Sequence, residues 1–238
     1  VMHLLDEDAD GVRLMAAKIR LYQREKAGDA IPSTFTLRGE TFYNRLAACR
    51  LVPRLCLVLG LVACVMTLSA ARRRRRWLMV IVAAMAAYLT LLIALRWWIS
   101  GHVPLGNGYE TMLFMAWTAI VLTLVLMRRF ALLAAFGPMA SALCLLVASM
   151  AMGSPQVSRL MPVLQSPLLT VHVAIIMMAY TLLAFTAFVA VCCLCTGSTH
   201  EARQRRLTAL SQLTLYPAVA CLAAGIFIGA VWANVSWG

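Results

Sequence analysis

The stretch RRRRRWLMVIVAAMAAYLTLLIALRWWIS, Arg72 to Ser100, decides the fold. Five consecutive arginines run straight into an apolar segment whose only charged interruption is Arg96. A helix needs about 20 apolar residues to cross the hydrocarbon layer. This segment is therefore a membrane helix, and the arginines in front of it mark the side on which it starts.

Working outward, comparable runs recur along the chain. The expected spans are 51–71, 77–99, 110–127, 130–152, 168–195 and 213–235, which gives an all-α, polytopic membrane helical bundle of about six transmembrane helices. The composition agrees: of 238 residues 63% are hydrophobic and only 13% charged, and the mean hydropathy is +0.84. That is far more apolar surface than one water-soluble core uses. The net charge of +12 would suit nucleic acid, but its densest element sits between two apolar segments. It is a topology signal, and no nucleic-acid partner is expected.

Arginine also orients the bundle. Arg72 to Arg76, Arg128 with Arg129, and Arg203, Arg205 and Arg206 occupy every second connection, so those connections face the cytoplasm. Residues 1–46, the loop around His102, the loop from Gly153 to Pro167 and the terminal Trp237 then lie on the outer side. Trp97, Trp98, Trp232 and Trp237 fall at that boundary, where amphipathic rings settle at headgroup depth.

Residues 1–46 are polar. Val12, Met15, Ile19 and Tyr22 at helical spacing predict an amphipathic helix that ends near Gly28, and the stretch from Ile31 to Tyr43, with Pro32 and Gly39, reads as extended chain leading to the bilayer. The chain opens on Val1 and stops on Trp237 and Gly238 directly after an apolar span, which reads as a piece of a larger polypeptide. Eight cysteines, at 49, 56, 64, 144, 192, 193, 195 and 221, read as small buried packing residues.

The chemistry-bearing residues gather at the outer side. In the loop Gly101-His102-Val103-Pro104-Leu105-Gly106-Asn107-Gly108-Tyr109-Glu110, Asn107 and Glu110 have the spacing of a capping box: the Asn side chain takes an orphan N–H of the third span and the Glu returns to the cap. Gln165, Ser166 and Pro167 precede the fifth span, with Ser166 as cap and Pro167 at the first helical position. Arg96 and Arg159 are outer-side cations for headgroups or for acidic groups of a ligand.

His172 lies about one turn inside the fifth span, with Ile175, Ile176, Ala179 and Tyr180 as its helical neighbours. Two readings stand side by side: a histidine bonded to a neighbouring helix, or an axial ligand whose neutral nitrogen binds iron between apolar walls. His102 sits at a similar depth in its loop. His3 and His200 read as solvated side chains. The spans hold no Asp, Glu or Lys in their interiors, which weighs against an ion-coupled transporter. A small-solute or heme transporter subunit is the alternative to a heme-handling role, and a purely structural membrane subunit is a third.

The segments GHVPLGNGYE (101–110), SPLLTVHVAIIMMAY (166–180) and GAVWANVSWG (229–238) resemble the CcsA (ResC) branch of cytochrome c assembly proteins. The likeness covers about residues 90–238. Residues 1–46 resemble the tail of a ResB-like domain in fused versions of the same system, which leaves 47–238 as a CcsA-like heme-handling domain, incomplete at its C-terminus.

The resemblance implies heme b as the bound ligand, held on the outer face of the bacterial inner membrane between two external histidines and a tryptophan-rich segment of the form WGxYWxWDPKE. It implies His172 as the first of those histidines and an axial ligand of heme iron. Trp237 and Gly238 match the first two residues of the tryptophan-rich segment, and the rest of it and the second histidine lie beyond this chain. Trp232 and His102 are implied as neighbours of the same site. The implied partners are heme, apocytochrome c with its C-x-x-C-H thiols, a ResB-like subunit or domain, a thiol-reducing protein and the lipid bilayer.

Overall fold

In the computed structural model the residues described are 9–27, 33–47, 51–67, 72–128, 131–150, 166–195 and 201–238. They form α1 (Ala9–Ala27), α2 (Thr34–Ala47), α3 (Leu51–Thr67), α4 (Arg72–Ser100), α5 (Gly108–Leu126), a 3-10 turn (Ala131–Ala134), α6 (Phe136–Met150), α7 (Pro167–Leu194) and α8 (Glu201–Trp237). No strand occurs among them. The chain divides into two compact units, Val1–Phe42 and Tyr43–Gly238. Tyr43 is fully buried within the second unit.

In the first unit, α1 carries the expected amphipathic stripe and ends next to Gly28. The expectation of extended chain from Ile31 to Tyr43 is wrong: α2 begins at Thr34. Ser33 supplies the start signal, its Oγ accepting the Thr36 N–H at 3.1 Å while its carbonyl accepts the Leu37 N–H at 3.0 Å. That Ser cap satisfies an orphan donor of the first turn, a gain comparable to the roughly 1 kcal/mol that Gly39 costs inside the helix.

In the second unit six apolar helices follow one another. Four of them, α4 from Arg76, α5, α7 and α8, are long and apolar enough to cross a membrane; α3 and α6 are shorter. At about 1.5 Å per residue the 15 residues of α6 cover about 22 Å, less than the ~30 Å hydrocarbon layer. Its Pro138, Ser141, Ala142, Leu145 and Ala148 form one buried face, and Ser141 Oγ donates to the Ala116 carbonyl of α5 at 2.7 Å.

The helix at the centre is α5, which packs on α4, α6 and α7. Its apolar residues run all round, with Leu113, Ala116, Ile120 and Thr123 fully covered. A helix without a polar face belongs inside. At the periphery α8 packs on α7 and turns Tyr216, Val219, Ile226, Phe227 and Val235 outward, as lipid-facing surface requires. It is also far longer than the expected span 213–235. Arg203, Arg205 and Arg206 belong to its first two turns and are exposed, so the basic connection is a helical extension anchored by Leu207 and Leu210 against Phe136, Phe185 and Val189. The arginine run 72–76 is likewise the start of α4.

The cysteine expectation needs one correction. Cys56 is buried and Cys144, Cys192, Cys193 and Cys221 are partly so, but Cys195 is exposed, because it follows the last turn of α7.

Candidate functional site

Two polar clusters form at the arginine-poor end of the bundle. The first is built on the loop 101–107. Gly101 takes φ +71°, a left-handed conformation that favours glycine, and its N–H closes α4 on the Trp97 carbonyl at 2.9 Å. At the other end of the loop Asn107 caps α5 as expected, its Oδ1 accepting the Glu110 N–H at 2.9 Å. The Glu110 side chain does not complete the capping box. Oε2 accepts the Gly106 N–H at 2.7 Å, and Oε1 accepts from Arg96 Nε at 2.7 Å.

Arg96 is therefore no outer-side cation awaiting a ligand. It is 0% exposed and Glu110 2%. A second guanidinium nitrogen donates to the Tyr43 hydroxyl at 2.9 Å, and the guanidinium carbon lies 5.6 Å from the Tyr43 ring centroid and 5.1 Å from that of Tyr109. Charge, hydrogen bonds and aromatic faces leave neither partner exposed, which is the condition under which a buried ion pair is tolerated. The expectation that the spans hold no interior carboxylate fails here: Glu110 opens α5 and is buried. The missed signal is that a lone arginine in an apolar span demands an acid, and Glu110 lies just across the loop. Beside this cluster His102 is half-buried, with its Nδ1 3.1 Å from the Val103 carbonyl.

The second cluster joins α7 to α8. Pro167 opens α7 as expected, but Ser166 adopts the cap backbone without any side-chain cap bond. One turn later the half-buried His172 turns toward α8, and its Nδ1 lies 2.7 Å from the Gly225 carbonyl. A carbonyl only accepts, so Nδ1 carries a proton, and in the neutral ring the lone pair then resides on Nε2. The ring occupies a recess at Gly229, where a Cβ would come within 2.5 Å of Cε1 and 2.6 Å of Nδ1.

Positions 225, 229 and 232 share one face of α8. Trp232 is partly buried there, and its indole N–H is buried without a hydrogen-bond partner. Trp237 ends α8 and is 76% exposed, while Trp97 and Trp98 at the end of α4 are 52% and 46% exposed. The two histidines are hydrogen-bonded to different carbonyls, one within its own loop and one on α8. His3, His200, Arg159 and Gln165 lie outside the described residues, as does the loop from Gly153 to Gln165. No group of three or more His, Cys, Asp or Glu side chains forms a metal cage among the described residues.

The second cluster fits a planar iron porphyrin on the chemistry of its donors. It offers an imidazole whose Nε2 takes no part in the bond to Gly225, apolar surroundings, and a buried indole donor without a partner. The glycine recess that seats the ring was legible in the G-x-x-x-G spacing of 225 and 229, a close-packing signature in apolar helices.

Known proteins resemble this chain. The cytochrome C assembly protein family matches residues 105–238. Protein NrfI of Wolinella succinogenes is 29% identical over 236 residues, covering 92% of this chain and 26% of that protein. Cytochrome c biogenesis protein CcsA of Prochlorococcus marinus is 31% identical over 191 residues, covering 63% of this chain and 60% of that protein. Its counterpart in Chlamydomonas reinhardtii is 34% identical over 164 residues, with 63% and 46% covered. The chain thus spans between 26% and 60% of the length of these relatives.

Proposed function

We propose a heme-presenting role in cytochrome c biogenesis for this chain, which belongs to the cytochrome C assembly protein family. In this reading the arginine-poor end faces the outer side of the bacterial inner membrane. There His172 holds heme b through Nε2, and Trp237, Trp232 and His102 border the ligand. Apocytochrome c is the acceptor. Each of its C-x-x-C-H thiols adds across a vinyl group, sulfur to one carbon and proton to the other, with no net oxidation or reduction.

Support comes above all from the imidazole. A half-buried imidazole needs its N–H satisfied in either reading, and anchoring Nδ1 leaves Nε2 as the nitrogen that could meet iron. The Gly225 carbonyl does this at 2.7 Å. The apolar flank of α7 suits a flat macrocycle, and a terminal tryptophan as open as Trp237 suits an aromatic platform. Glu110, the one buried carboxylate among the described residues, is committed to Arg96 and offers nothing to a coupling ion, which counts against the transporter reading. A ResB-like partner for residues 1–46 and a separate thiol reductant complete the proposal. The reductant is required because thioether formation consumes reduced thiols.

The test uses the full-length protein purified from cells competent for heme synthesis. Substituting His172→Ala is expected to abolish the axial-histidine heme spectrum and most of the bound heme, while His200→Ala leaves both unchanged. Equal heme in wild type and His172→Ala would overturn the assignment.

A further inference from the structure

We propose that Gly225 and Gly229 are positioning residues for His172, forming one acceptor-and-recess unit on α8 that fixes both the tautomer and the orientation of its imidazole. The proposal deepens the reading of His172 as an iron ligand and rests on it for its functional meaning. Its structural content can be tested without heme.

The geometry carries the argument. In an α-helix the carbonyl of residue 225 already accepts the N–H of residue 229. Its second lone pair remains for one further donor, and the His172 Nδ1–H at 2.7 Å takes it. Reaching that lone pair from α7 requires the ring to lie where the side chain of residue 229 would stand. Only a hydrogen at that Cα leaves the space: an added Cβ would sit 2.5 Å from Cε1, 2.6 Å from Nδ1 and 3.2 Å from Nε2.

Gly225 is needed for a related reason. A Cβ there would meet Ile176 Cδ1 at 2.7 Å and Cγ1 at 2.8 Å, and Ile176 follows His172 by one turn of α7. Glycine at 225 lets α7 approach closely enough for the carbonyl to be in reach, and glycine at 229 admits the ring. The pair therefore acts through the imidazole rather than on any ligand. Partners of this kind that orient a metal-bound histidine affect affinity by about 10- to 100-fold.

The experiment is nitrogen-15 NMR of histidine-labelled full-length protein in lipid nanodiscs, prepared without heme, with His172→Gln used to assign the signal. In the wild type His172 is expected to show a protonated Nδ1 and an unprotonated Nε2, together with dipolar coupling between Nδ1 and a carbon-13-labelled Gly225 carbonyl. Gly229→Ala displaces the ring, so the coupling disappears and Nε2-protonated imidazole appears.

Heme added to that variant is expected to bind about 10- to 100-fold more weakly than to the wild type. A wild-type His172 protonated on Nε2, or without coupling to the Gly225 carbonyl, overturns the proposal whether or not the alanine variant folds. An unchanged tautomer in a folded Gly229→Ala protein overturns it as well. Failure of the ligand reading looks different: heme retained by His172→Ala, with the tautomer and coupling intact.

Discussion

The two polar clusters at the arginine-poor ends of the helices are opposites. Around Arg96 every charged group has a partner: Glu110 takes the guanidinium and the Gly106 amide, Tyr43 takes a second nitrogen, and two phenol rings face the cation. Around His172 one ring nitrogen is anchored on Gly225, the side chain is half-buried, and the nearby Trp232 indole N–H has no partner. A saturated polar cluster can only hold structure, because any ligand would have to displace a bond already made. An unsaturated one retains capacity for a ligand. The contrast separates two clusters that composition alone makes look alike, each with a histidine and glycines in or near it.

Breaking the comparison starts with its strongest element. Arg96→Met leaves Glu110 charged and buried, and is expected to cost about 3–5 kcal/mol, visible as a large drop in thermal midpoint in detergent. Pairing it with Glu110→Leu recovers part of that loss. His172→Ala removes one hydrogen bond, worth about 1 kcal/mol, together with the packing of the ring in the Gly229 recess. That is a smaller loss than stranding a buried charge, and on the proposed function the substitution also removes heme. If Arg96→Met melted no lower than His172→Ala, the division between structural and functional clusters would fall.

The comparison sharpens further at the caps. Asn107→Ala deletes the bond to the Glu110 amide and is expected to lower stability by about 1 kcal/mol, measured by the same melt. Ser166→Ala occupies the equivalent place at the start of α7 but removes no cap bond. Its thermal midpoint should match the wild type, and a loss comparable to that of Asn107→Ala would show that the hydroxyl caps the helix in the membrane after all.

Reading the chain as helices succeeded where the signal is local. Asn107 before Tyr109 and Glu110, Pro167 at the start of α7, and the stripe of Val12, Met15, Ile19 and Tyr22 each act within one or two turns. It failed at residues 34–43, where Pro32 and Gly39 drew attention away from Ser33 as a cap. It also failed at the start of α8, where arginines that read as a connection between spans are equally good helix formers. For the candidate site, His172 and the tryptophans stood out as costly polar groups at a membrane boundary. Gly225 and Gly229 carry only the G-x-x-x-G spacing of a close helix contact, which does not name a partner 53 positions away from Gly225.

By itself the sequence determined that this is a membrane protein of apolar helices, which ends carry the arginines, and which residues begin α5 and α7. Those properties follow from hydropathy, charge and bonds between near neighbours. Only the tertiary structure decided that Arg96 belongs to Glu110 and Tyr43, and that His172 belongs to Gly225 and Gly229. Helices such as α5, α7 and α8 are apolar on every side, so no periodicity marks the face that meets a neighbour. Which polar atom finds which partner is set by how closely the backbones approach, and that is a property of the packed bundle.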